Sequence, residues 1–149
     1  MGYAAEGSRH SRIRERAGSE RRLPPEQIFW EGKLGEPLDL AGAAGYAEVL
    51  ESVRWAPSAS NKQPWRLVRS GEAWHLYLQR TKGYGKGTTV FSLLRLADLQ
   101  RVDMGIAMCH FEMAARERGL AGRWLVEQPA PEARAAGLEY TASWIPEDT

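Results

Sequence analysis

Across residues 41–79 the spacing of apolar residues changes once, and it changes at the eight-residue segment 57–64, PSASNKQP. Before it, Tyr46, Val49, Leu50 and Val53 recur at three- and four-residue intervals, while Glu48, Glu51 and Arg54 take the other positions. That spacing predicts an amphipathic helix over 41–56, ended by Pro57. After the segment, residues 66–70 and 73–79 alternate, with Trp74, Leu76 and Leu78 on one side, which predicts two antiparallel strands around Ser70-Gly71-Glu72. The segment between is rich in turn formers, and because Trp65, Leu67 and Val68 resume an apolar pattern at once it is expected to be an ordered loop. Trp65 and Trp74 are expected to be packing residues.

Downstream, residues 98–119 carry the longest helical signal. Val102, Ile106, Cys109 and Met113 form one stripe, and Met104, Ala107, Phe111 and Ala114 lie beside it. Two adjacent apolar stripes predict a helix buried on most sides, with Cys109 as a small core residue and His110 as a buried, hydrogen-bonded histidine. Gly119, after Arg116 and Arg118, is the expected stop. Residues 122–128 and 138–145 read as strands. The order of helix, loop, hairpin, long helix and strands predicts an α+β fold, an antiparallel sheet packed against helices, rather than alternating β-α units.

The 149 residues and 43% hydrophobic content suit one core, and 20 Lys and Arg against 19 Asp and Glu give no whole-chain reason to expect nucleic acid or an anionic membrane as partner. The balance is uneven: the first 22 residues hold six Arg (Arg9, Arg12, Arg14, Arg16, Arg21 and Arg22) against three Glu. Residues 4–22 lack apolar periodicity and read as an arm, closed by Pro24-Pro25. Nucleic-acid binding through that arm is disfavoured by the interspersed Glu15 and Glu20 and by the lack of an aromatic residue after Tyr3. One cysteine excludes an intramolecular disulfide and fits a cytoplasmic protein. No export signal or membrane-length apolar run is visible. The GYGKG run at 83–87 lacks phosphate-loop spacing and reads as a surface loop.

The stretch Ala56-Pro57-Ser58-Ala59-Ser60-Asn61-Lys62-Gln63-Pro64-Trp65 resembles the A-P-S-x-x-N-x-Q-P-W signature of the FMN-dependent nitroreductase superfamily, in the same place between helix and strand. Asp103-Met104-Gly105-Ile106-Ala107, with Gly119-Leu120 downstream, is similar to that family's central helix. Gly2-Tyr3 and the later Arg21-Arg22-Leu23-Pro24 resemble its strand-end G-Y and R-x-P, which normally follow the central helix but here precede it. That order implies two fused nitroreductase-like halves: residues 1–40 as a tail and connection left from the first, and residues 41–149 as the domain of the second. The family's R-R-S-x-R-type motif for the FMN phosphate does not precede Ala41, so the N-terminal portion of the fold is expected to be missing.

The resemblance implies an oxidoreductase that passes electrons from NAD(P)H through FMN to a nitroaromatic, quinone or similar small-molecule acceptor, with no side chain performing the chemistry. It implies that Asn61 meets the polar edge of the flavin, that Ser58 and Gln63 add hydrogen bonds or orient the loop, and that Arg22 lies near the phosphate. It also implies association, as a homodimer or with the missing N-terminal half, because the family's flavins lie between two equivalent halves. The rival reading is that Ser58, Asn61 and Gln63 form a turn whose side chains bond their own backbone, and that Arg22 is a solvated charge. A noncatalytic flavin-binding or interaction module of the same fold is the alternative function.

Overall fold

The computed structural model describes residues 18, 20–43, 45–82, 98–127 and 137–147. Five strands form one sheet: β1 (Phe29–Glu31), β2 (Trp65–Ser70), β3 (Ala73–Gln79), β4 (Gly122–Leu125) and β5 (Leu138–Pro146), in the order β1-β2-β3-β5-β4. Among the described residues two α-helices, α1 (Ala47–Trp55) and α2 (Leu99–Glu117), accompany it, with short 3₁₀ turns at Pro25–Gln27, Leu40–Gly42 and Ala59–Asn61. The α+β class is as the sequence implies, but the sheet is mixed. β1 runs parallel to β2 and every other neighbouring pair is antiparallel.

The hairpin of β2 and β3 follows the alternation closely. Ser70 pairs with Ala73 across Gly71-Glu72, and Gly71 takes a φ of 58°, a left-handed conformation that glycine adopts without a Cβ penalty. With a period of two, Trp65 and Leu67 of β2 and Trp74, Leu76 and Leu78 of β3 share one buried face. Trp144 of β5 joins them opposite Trp74. Helix α1 contributes Val49, Leu50 and Val53 to this core, and Phe29 is buried in it too. Helix α1 starts later than the spacing predicts, because Gly45 sits at φ 87° and breaks the run.

Helix α2 stops at Gly119 as expected, and its start carries a side-chain cap. The Asp98 carboxylate accepts from the Arg101 N–H, and Gly119 at φ 71° follows the last turn. Its burial differs from expectation. Met104, Ala107, Phe111 and Ala115 face the core, whereas Val102 is 54% exposed, Met113 is 59% exposed and Cys109 is exposed rather than in the core. The sheet and α1 cover one side of the helix, so the stripe toward Phe111 is buried, while in the other Ile106 packs partly against the core and Val102, Cys109 and Met113 face outward. His110 lies between, half-buried, with Nδ1 3.3 Å from Ser52 Oγ of α1. The Arg9 to Arg16 part of the arm and the GYGKG run lie outside the described residues. Among the described residues, no helix is long and apolar enough to cross a membrane.

Candidate functional site

Pro57 ends α1, and the chain must then turn into β2 within eight residues. It does so through backbone that side chains seldom adopt: Ser60, Asn61 and Gln63 have φ of 51°, 52° and 47°. Such conformations cost about 1–3 kcal/mol each and persist only where the surroundings hold them. Two anchors hold this loop from below. The Ala59 N–H donates to Oδ1 of Asp103 at 2.9 Å, and the Gln63 N–H donates to Ser58 Oγ at 2.9 Å.

Asp103 is only 3% exposed, and its other carboxylate oxygen has no partner among the described residues. Burial raises its pKa, opposed by the Ala59 N–H, which favours the charged form. Sequence reasoning assigned Asp103 no role of its own. A signal was present, since a carboxylate stands beside Met104 and four residues before Ala107, on the face that packs inward.

The upper side of the loop holds residues 18–23, some forty positions earlier in the chain. The Asn61 amide nitrogen donates to Gly18 O at 2.6 Å and to Arg21 O at 2.7 Å, and its Oδ1 accepts from Arg22 Nη1 at 2.7 Å. The Gln63 amide nitrogen donates to Arg21 O at 3.1 Å and to Asn61 O at 3.3 Å, while its Oε1 accepts from the Leu23 N–H at 2.9 Å. All four residues singled out from sequence, Arg22, Ser58, Asn61 and Gln63, therefore meet in one network.

Arg22 is its charged member. Nη2 donates to Trp55 O at 3.2 Å, and the guanidinium lies 5.2 Å from the centroid of the Trp55 ring. Arg54 lies at the same distance from that ring, and Trp55 is 49% exposed. Glu51 neutralises Arg54 through two 2.7 Å hydrogen bonds. Arg22 has no carboxylate partner among the described residues, and its buried Nε has no acceptor. Burial, and then repulsion from Arg54, lower its pKa. The site thus holds a partly desolvated cation with no carboxylate partner among the described residues, set against the loop beside an exposed indole.

This fold is that of nitroreductase-family proteins. A nitroreductase family protein from Clostridium difficile is similar with a TM-score of 0.54 and 21% identity, over 69% of this chain and 70% of that one. A "putative nitroreductase" from Thermotoga maritima is 21% identical with a TM-score of 0.48, over 84% of this chain. The present chain spans 42% of the length of that protein. By sequence, the chain belongs to the family described as "Putative TM nitroreductase", whose model matches residues 2–115. No curated protein matched the chain.

Proposed function

We propose that the chain forms part of an FMN-dependent oxidoreductase in which Arg22, Ser58, Asn61 and Gln63 build the phosphate-proximal part of the flavin site. The observation that carries this reading is Arg22: a guanidinium held by Asn61 and Trp55, with an orphaned Nε and no anion of its own among the described residues. A phosphate monoester is the counter-charge that such a group fits, since guanidinium and phosphate match in geometry as well as charge. When bound, FMN supplies two-electron chemistry between NAD(P)H and a nitroaromatic, quinone or similar acceptor. The chain's residues bind and orient. Arg22 supplies the cation, Ser58 holds the Gln63 backbone, and Asp103 anchors the strained loop.

Association belongs to the same proposal. Leu99, Val102 and Met113 expose an apolar stripe along α2, a surface suited to a second copy of the chain or to a further half of the same fold.

The test is the visible spectrum of the purified chain after incubation with FMN and desalting, beside an Arg22→Ala variant. Flavin kept by the wild type and lost by the variant is the expected result, followed by flavin-dependent NAD(P)H oxidation. A wild type that retains no flavin overturns the reading. Retention without NAD(P)H oxidation would instead favour the noncatalytic flavin-binding module.

A further inference from the structure

Asn61 and Gln63 are the obvious direct flavin contacts on the loop, yet the N–H donors of both side chains already bond the chain itself. A primary amide offers two N–H donors and a carbonyl oxygen with two lone pairs. In Asn61 both donors reach backbone carbonyls, of Gly18 and Arg21, and the acceptor takes Arg22 Nη1. In Gln63 the amide nitrogen reaches Arg21 O and Asn61 O, and the acceptor takes the Leu23 N–H. Gln63 is 4% exposed. Both amide nitrogens converge on one carbonyl, Arg21 O, so the backbone on either side of that carbonyl is fixed from two directions.

We infer that Asn61 and Gln63 are positioning residues: together they clasp Gly18 and residues 21–23 and set the Arg22 guanidinium in place for the phosphate of an incoming flavin nucleotide. The inference takes its ligand from the flavin reading above. Its consequence is selectivity. The clasp acts only through Arg22, so it favours a phosphorylated flavin over the same ring without phosphate. The left-handed backbone at Asn61 and Gln63 serves this geometry by turning both side chains to the same stretch of chain.

Two measurements on the full chain test it. The first needs no flavin: amide hydrogen exchange at Leu23 and, as reference, at Leu76, read by NMR in wild type and Gln63→Ala. The alanine variant is expected to exchange at least about tenfold faster at Leu23, as a lost buried hydrogen bond implies. Protection at Leu76 in the β2–β3 hairpin is expected to stay as in wild type, which separates loss of the clasp from general unfolding. Unchanged exchange in Gln63→Ala overturns the clasp, whether or not the chain binds flavin. The second measurement titrates FMN and riboflavin into wild type, Asn61→Ala, Arg22→Ala and the double variant. Each single variant is expected to weaken FMN by roughly tenfold to a hundredfold, with no further loss in the double variant and little change for riboflavin. Losses that multiply, or riboflavin weakened as much as FMN by Asn61→Ala, would mean that Asn61 touches the ring itself and the inference is wrong. If wild type binds neither flavin, the flavin reading fails and the exchange experiment alone decides the clasp.

Discussion

Gly122 opens β4 with no room for a side chain. A Cβ built there would stand 2.5 Å from Cε2, 2.6 Å from Cζ2 and 2.7 Å from Nε1 of Trp144. Carbon atoms in good contact lie about 3.5–4.0 Å apart, so Gly122→Ala requires a shift of roughly 1 Å by the ring or by the strand. The ring is poorly placed to yield. Trp144 is fully buried, packs against Phe111 and Trp124 at centroid distances of 5.5 and 5.4 Å, and donates through Nε1 to the Tyr46 hydroxyl at 3.2 Å. The strand can yield more, since β4 lies at the edge of the sheet and pairs only with β5. Overpacking of this kind costs about 1–3 kcal/mol, and the rigid aromatic cluster places this site toward the upper end. For a chain of this size that corresponds to a fall in Tm of roughly 5–10 °C. Urea melts followed by tryptophan fluorescence, together with calorimetry, would measure it. Gly105→Ala is the internal control, because a Cβ on that exposed helical glycine meets nothing within 4 Å. It should stabilise by about 0.5–1 kcal/mol through helix propensity. A Gly122→Ala cost below about 0.5 kcal/mol would refute the claim that Trp144 is held in place.

Other outcomes follow from single groups. Arg80 bridges β3, the start of α2 and β5 through paired contacts to Asp98 at 2.7 and 2.8 Å and to Glu139 at 2.7 and 3.2 Å; Arg80→Ala should cost about 1–3 kcal/mol in urea melts, less at high salt. The same contacts lower the Asp98 and Glu139 pKa values, so their stabilisation is present above the ordinary carboxylate values of 3.8 and 4.5 and is lost as pH falls through the lowered ones. Asp103 has the opposite sign. Burial raises its pKa, so the folded chain holds that proton more tightly, and the resulting stability is full below 3.8 and is lost as pH rises through the raised value. Asp103→Asn should flatten that upper part of the stability-versus-pH curve and leave the acid limb unchanged. Finally, Val102→Glu with Met113→Glu should abolish any concentration-dependent association seen by sedimentation, whereas association unaffected by both would place the interface elsewhere.

Elements set by local chemistry were legible in the sequence. The hairpin and the stop of α2 at Gly119 each depend on residues within a few positions of one another, so spacing and turn type suffice. The PSASNKQP loop was legible for the same reason, being a dense run of turn formers between two different apolar periods. What spacing does not encode is which of two stripes finds a partner. Cys109 and Met113 repeat at helical intervals as regularly as Met104 and Phe111, yet only the second pair meets the sheet.

The sequence by itself determined the α+β class, the place of the loop and the identity of the four residues that meet there. Only the tertiary structure decided how they meet. Asn61 and Gln63 lie about forty positions from Arg21, Arg22 and Leu23, and an amide that both donates and accepts serves a backbone carbonyl as readily as a ligand edge. Which of these it serves depends on what the fold lays against the loop, and here the described structure lays residues 18–23 against it. Asp103 shows the same dependence: spacing places it on the inward face of α2, but only packing sets its carboxylate against the Ala59 N–H.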